Sequence, residues 1–237
     1  MEIKKFKNRK AAFTITADTV RKNYFDKNQN EKEYKLLIEM QGIFKPKIFE
    51  DWTYELVEVI EGSREKGFLM KKIPGRPMIE DQRIDESYYY HAGIWLGHFH
   101  SLSRKKGRVE TFGDYNFSNL FISHKKKKIT ALDPDLKAME KRNYYWDIMK
   151  FLEMAYLKSL QQNLIYNKQC IEQFVKGYRV FGEFQYEAEY YMENQKKLLG
   201  DLKRALSRRH NKMYVAIGVL VFKLYFNFGL KRRLRVL

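Results

Sequence analysis

The stretch from Phe112 to Asp135 restricts what this chain can fold into more than any other. It opens as a loop, Phe112-Gly113-Asp114-Tyr115-Asn116-Phe117-Ser118-Asn119, and enters the apolar run Leu120-Phe121-Ile122. It turns through Ser123-His124 and the lysines Lys125 to Lys128, then returns as Ile129-Thr130-Ala131-Leu132 before Asp133-Pro134-Asp135. Apolar, β-branched runs on both sides of a polar turn predict two antiparallel strands. An acid in the loop therefore precedes an amide, Asn119, at the start of one strand, and a second acid, Asp133, closes the other. Phosphoryl transfer needs such groups together: a carboxylate to receive or orient a hydroxyl proton, and an amide and a carboxylate to hold magnesium on the phosphates. The lysines fall at the hairpin tip, as a solvated turn or an anion-attracting patch.

Upstream, Phe13 to Phe25 mixes β-branched and aromatic residues around Ala17-Asp18, which predicts two short strands joined by a turn. Strand alternation puts Val20, Lys22 and Tyr24 on one face. An aliphatic residue two places before a lysine can cover an adenine ring while the ammonium reaches the phosphates; an exposed strand lysine is the plainer alternative. In the segment from Asn30 to Ile43, Leu36, Leu37, Met40 and Ile43 recur at helical spacing. Glu33 shares their face and is placed to pair with Lys22, with Glu31 the competing choice. Tyr54 to Ile60 and Gly67 to Ile73 read as strands around a turn at Glu61 to Lys66.

Ile73-Pro74-Gly75-Arg76-Pro77 interrupts regular structure, and a boundary between residues 1–73 and 74–237 is expected there. An extended connector at this point would offer main-chain groups of Lys71 and Ile73 to an adenine edge. Beyond it the pattern turns helical. Ser87 to Ser101 predicts a buried-face helix on which His98 and His100 are packed or hydrogen-bonded, since no second ligand lies at metal spacing. From Tyr144 onward helices continue, with Asp147 among aromatics, where a carboxylate needs partners and is placed to brace the loop around Asp114.

The formal net charge of +17 implies attraction to something anionic. The aromatics, 16% of residues, are spread through apparent core helices without a stacking platform, which argues against nucleic acid. The apolar run from Met213 to Phe222 is far shorter than the ~20 residues a bilayer span requires. The tail Lys231-Arg232-Arg233-Leu234-Arg235-Val236-Leu237 suits an anionic membrane surface, while core packing is the competing role for Tyr214 to Phe222. Cys170 is the only cysteine, so no disulfide framework exists, and with no secretion-signal pattern at the N-terminus a cytoplasmic monomer is expected, peripheral at most to the inner membrane face.

Taken together, residues 13 to 180 resemble the protein-kinase-like fold, and within it the aminoglycoside phosphotransferases and the bacterial lipopolysaccharide core heptose and Kdo kinases. Leu96-Gly97-His98-Phe99-His100-Ser101-Leu102 looks like the helix before the catalytic loop. Gly113-Asp114 with Asn119, then Leu132-Asp133-Pro134-Asp135, looks like that loop and the metal-binding strand end. The resemblance implies an α+β architecture: a small antiparallel N-lobe with one helix and a mainly helical C-lobe. It implies Asp114 as the catalytic carboxylate, Asn119 and Asp133 as Mg²⁺ ligands, Lys22 as the phosphate lysine with Glu33 its partner, and Val20, Lys71 and Ile73 around the nucleotide. Asp135 would be a second acid. The implied activity is ATP-dependent phosphorylation of a sugar hydroxyl on a cell-surface glycolipid. The alternatives are a small-molecule or protein kinase, or an inactive pseudokinase serving as a membrane- or nucleic-acid-binding module. Three departures stand out: Phe112 occupies a position where histidine is common, no glycine-rich phosphate loop precedes Phe13, where the chain offers Lys7-Asn8-Arg9-Lys10, and the upper lobe is short.

Overall fold

Strand-forming and helix-forming residues segregate along the chain, and so do the elements. The computed structural model describes all residues except 1–3, 8–9, 81–85, 105–108, 136–138, 140, 163–167, 208–211 and 237. Ten strands are present among them: β1 (Lys4–Lys7), β2 (Ala11–Ile15), β3 (Thr19–Tyr24), β4 (Lys47–Phe49), β5 (Trp52–Leu56), β6 (Val59–Ser63), β7 (Gly67–Lys71), β8 (Arg76–Pro77), β9 (Leu120–Ser123) and β10 (Lys128–Ala131). They form two sheets, β1-β2-β3-β7-β6 and β4-β5-β10-β9-β8. The first is antiparallel throughout, and in the second β5 and β10 pair in parallel. With α1 (Lys27–Ile43) the strands make one compact unit, residues 1–84 and 117–137. Its core is Leu37, Val57, Val59, Phe68 and Met70, with Val20, Tyr24, Tyr34, Ile73 and Leu132 against it.

Two expectations are corrected here. The alternation from Tyr54 to Ile60 is not one strand. Its buried positions change phase at Leu56 and Val57, and the chain leaves the second sheet after Leu56 and enters the first at Val59. Nor do the compact units divide at Pro74–Pro77. Arg76 and Pro77 pair with Ile122 and Phe121, and β10 runs beside β5, so the hairpin carrying Asn119 and Asp133 belongs with the strands rather than the helices.

The second unit, residues 85–116 and 138–237, holds α2 (Glu86–Arg104), α3 (Tyr145–Gln162), α4 (Lys168–Tyr178), α5 (Ala188–Ser207), α6 (Lys212–Leu224), a π-helical turn (Tyr225–Leu230) and α7 (Lys231–Val236). Glycine brings α2 and α4 together. A Cβ on Gly93 would lie 2.1 Å from the Phe174 carbonyl oxygen, and one on Gly97 2.2 Å from that of Tyr178. Backbones in such contact leave no room for a methyl group. Beside this crossing, Trp95 stacks on Tyr115 and Phe99 with ring centroids 5.4 and 5.6 Å apart, and Phe112 meets Trp95 edge-on at 5.4 Å. Phe112 thus fills an aromatic core where a polar residue would have needed a partner.

Gly93→Ala is expected to lower stability by about 1–3 kcal/mol in urea unfolding, because the added carbon meets backbone. Gly42→Ala, with nothing within 4 Å of the new atom, should be neutral or mildly stabilising. Equal midpoints for the two variants would contradict this packing.

Candidate active site

The candidate residues fall in two sets, one in each compact unit. In the first, β3 carries Lys22 inward with only 5% of its surface exposed, a costly place for an ammonium without partners. It has two. Lys22 Nζ donates to Glu33 Oε1 at 2.8 Å and is hydrogen-bonded to Asp133 Oδ1. Tyr24, two residues along the same strand face, places its ring 4.7 Å from the ammonium. Glu33 is therefore the partner, and the competing Glu31 pairs with Lys35 one turn along on the outer face of α1, at 2.6 Å.

Helix α1 is fixed in the register this pair needs. Asp26 caps it by accepting from the Asn28 amide at 3.0 Å. Asn30, fully buried one turn before Glu33, accepts from the Tyr24 amide at 2.7 Å and donates to Asn23 Oδ1 at 2.9 Å and the Arg64 carbonyl at 3.0 Å. A helix clamped to β3 at Asn30 can only present Glu33 toward Lys22. Burial works against charge on Lys22, but Asp133 and then Glu33 outweigh it and hold the amine protonated. Burial pushes the Glu33 carboxyl up, to about 7, with Lys22 pulling the other way. Set between two carboxylates, the lysine keeps its charge, and burial makes the Glu33 carboxyl hold a proton more readily than an exposed one.

Asn119 and Asp133 flank the β9–β10 hairpin. Antiparallel register sets Leu120 opposite Ala131, and the Leu132 amide donates to the Asn119 carbonyl at 3.0 Å, so the two metal candidates leave the hairpin at the same end. Asp133 has φ of +64°, a left-handed conformation that aspartate tolerates at some cost and that turns the chain out of the strand. The donors fit magnesium in kind. Both offer hard oxygens, and Mg²⁺ is commonly bound through one or two carboxylates plus substrate phosphates rather than by an all-protein cage.

Of the nucleotide-covering candidates, Val20 and Ile73 pack on the same core cluster as Leu132. Lys71 closes β7; its amide donates to the Glu58 carbonyl at 2.8 Å and its ammonium pairs with the Glu58 carboxylate at 3.1 Å, so of its main-chain groups the donor is engaged among the strands. Asn8 and Arg9, half of the basic segment in place of a glycine-rich loop, lie outside the described residues. Asp135 is exposed.

In the second unit Asp114 is the part-exposed member of an otherwise buried run from Thr111 to Phe117. Its loop is held by Asp147, fully buried on α3, which accepts from the Phe112 amide at 2.6 Å and the Gly113 amide at 2.8 Å. His100 Nε2 lies 3.1 Å from the same carboxylate, and His100 Nδ1 is 2.8 Å from the Tyr178 hydroxyl. Trp146 Nε1 donates to the Gly113 carbonyl at 2.7 Å, and the Tyr115 hydroxyl to the Ala92 carbonyl at 2.6 Å. Gly113 turns the chain with φ of +91°. His98 packs on Phe181 at 5.3 Å.

Two contributors were missed in the sequence. Asn116 Nδ2 donates to Asp114 Oδ1 at 2.8 Å and to the Asp114 carbonyl at 3.0 Å, holding the carboxylate. A local Asx-type bond was the available signal. Lys150, one turn beyond Asp147 on α3, pairs with the buried Glu153 at 3.2 Å. Burial opposes its charge, and Glu153 and Asp114 outweigh that opposition. Helical spacing alone does not separate such a pair from a solvated one.

Asp147→Asn keeps the shape and removes the charge from two buried backbone contacts. It is expected to cost roughly 3 kcal/mol of stability by denaturant titration. The native state also holds the Glu33 proton more tightly than the unfolded chain, so stability from this group falls as pH rises from the ordinary carboxyl range toward about 7. Glu33→Gln should flatten that part of a plot of urea midpoint against pH; identical profiles for both proteins would contradict the assignment.

No family model and no curated protein matches the sequence. Among solved structures, the chain is similar to a choline/ethanolamine kinase family protein from Mesorhizobium loti, with a TM-score of 0.57 at 11% identity over 100% of this chain and 92% of that one. It is also similar to an ADP-bound aminoglycoside phosphotransferase, with a TM-score of 0.53 at 10% identity over 94% and 92% of the two chains. Plasmodium vivax ethanolamine kinase gives 0.52 at 9% identity over 98% and 84%. At such identities the likeness is one of fold. The chain has the protein-kinase-like α+β fold.

Proposed function

We propose that the chain is an ATP-dependent phosphotransferase whose acceptor is a hydroxyl of a sugar, carried on a cell-surface glycolipid such as lipopolysaccharide core. The observation that carries phosphoryl transfer is the buried Lys22 ammonium bonded to both Glu33 and Asp133. A buried cation beside a part-exposed carboxylate at the end of a hairpin is suited to polyphosphate and its counter-ion. Bound Mg·ATP would supply the transferable phosphoryl group and neutralise its charge. In this reading Lys22 binds phosphate oxygens, Asn119 and Asp133 hold the metal, and Asp114, kept in place by Asn116, orients the acceptor hydroxyl and takes its proton.

The sugar acceptor rests on the sequence resemblance and on the aminoglycoside phosphotransferase among the structural neighbours. Choline and ethanolamine kinases among the same neighbours favour a second reading, a small amino alcohol as acceptor. Incubation with Mg²⁺ and γ-labelled ATP against dephosphorylated core oligosaccharide, aminoglycosides, choline and ethanolamine separates the two.

Asp114→Asn is expected to reduce transfer by ~10²- to 10⁴-fold while leaving the thermal stabilisation by Mg·ATP in place. Lys22→Ala should remove that stabilisation. Undiminished transfer by Asp114→Asn would refute the catalytic assignment, and absence of both transfer and Mg·ATP stabilisation in the wild type would identify an inactive kinase fold.

A further inference from the structure

Helix α6 is apolar on two sides. Val215 and Phe222 turn inward, continued by Tyr225 and Phe226, all buried. Met213, Ile217, Leu220 and Leu224 follow one another at spacings of four and three residues, so they form a single stripe on the opposite side. That stripe is in the open: Ile217 is 54% exposed, Leu220 56% and Leu224 49%, and beyond the helix Phe228 is 72% exposed. An aliphatic stripe of this length left about half exposed among the described residues is unusual on a monomeric chain.

Beside the stripe, α5 and α6 enclose a groove of about 670 Å³. Val215, Val219 and Leu220 line it together with Lys203, Lys212 and Lys223. All three lysines are exposed, and they are the charged groups among the described residues lining the groove. Arg232 and Arg235 are exposed on α7 just beyond. Within α7, Leu234 is fully buried and Arg235 lies over the Tyr186 ring at 5.4 Å, which seats the basic C-terminal segment on the protein. No helix among the described residues is long and apolar enough to cross a membrane. Aliphatic side chains flanked by cations on a helix too short to span are what an in-plane membrane contact requires: the aliphatic groups enter the acyl boundary and the cations meet lipid phosphates.

We propose that α6, with the adjoining lysine of α5, is a docking surface for a bilayer rich in anionic phospholipid. The stripe from Ile217 to Phe228 inserts, Lys203, Lys212 and Lys223 contact lipid phosphates, and the formal charge of +17 adds long-range attraction. The basic tail contributes charge, while α6 supplies the apolar area that charge alone lacks. This surface is independent of phosphoryl transfer and is tested without ATP.

The experiment is co-sedimentation of the full chain with vesicles of phosphatidylcholine alone and of equal parts phosphatidylcholine and phosphatidylglycerol. Binding to the mixed vesicles is expected, at least ~10-fold weaker on the neutral ones. Leu220→Glu with Leu224→Glu should reduce binding to mixed vesicles by more than ~10-fold, since two aliphatic groups no longer enter the acyl boundary. Lys203→Gln with Lys212→Gln and Lys223→Gln should reduce it by roughly 100-fold and lower its salt dependence. Ile48→Glu, the same change at an exposed aliphatic residue of the strand unit, should have no comparable effect. Three results would each overturn the proposal: no sedimentation with mixed vesicles, undiminished binding by the Leu220 and Leu224 variant, or a solution dimer that this variant dissociates, which would make a second copy the occupant.

Discussion

A lysine ammonium removed from water is the constraint on which the first compact unit depends. Lys22 can be buried because Glu33 meets it at 2.8 Å and Asp133 meets it from the end of the β9–β10 hairpin. The three residues come from a strand, the helix that follows it and a hairpin whose Asp133 lies 111 residues beyond Lys22, so their ion pairs tie together the elements that bury the core. Removing one partner would leave a buried charge short of compensation, which typically costs more than the intact arrangement gains. The clamp at Asn30, the parallel pairing of β10 with β5 and the left-handed turn at Asp133 all serve to make the three charges meet. In such an arrangement Asp133 can be exchanged: it is part-exposed, whereas Glu33 is buried with the lysine.

The second unit solves a different problem with the same chemistry. A loop that holds Asp114 part-exposed must satisfy its own backbone, and one buried carboxylate, Asp147, takes two consecutive amides while His100 and Trp146 complete the shell. Rigid support of this kind keeps a carboxylate where a reacting group needs it. Asn116 then holds Asp114 itself. The aromatic packing of Phe112, Trp95 and Tyr115 behind the loop means that its shape is set by close contact rather than by a polar residue at position 112.

Much of this was legible in the chain. The strand–turn–strand around the lysine run, the face shared by Val20, Lys22 and Tyr24, the helix bearing Glu33, the bracing role of Asp147 and the hydrogen-bonded His100 all follow from periodicity and from the cost of an unpartnered buried charge. What was not legible depends on register and on long-range pairing. Glu31 and Glu33 differ by the rotation of α1, which Asn30 decides through contacts at Asn23 and Arg64. The phase slip at Leu56 and Val57 divides one alternating run between two sheets. Lys71 reads as part of the strand from Gly67 to Ile73, but nothing in that run says that the Glu58 carbonyl takes its amide. The α6 stripe reads equally well as core, because an apolar residue on a helix carries no mark of which side faces protein.

In the proposed phosphotransferase Lys22 meets nucleotide phosphate, Glu33 stays its partner and Asp133 leaves it for the metal. A crystal structure with Mg²⁺ and a non-hydrolysable ATP analogue tests it directly. The contact between Lys22 and Glu33 is expected to persist, the ammonium to contact a phosphate oxygen, and the Asp133 and Asn119 oxygens to lie on the metal. Nucleotide bound elsewhere, with Lys22 still closed on Asp133, would contradict it.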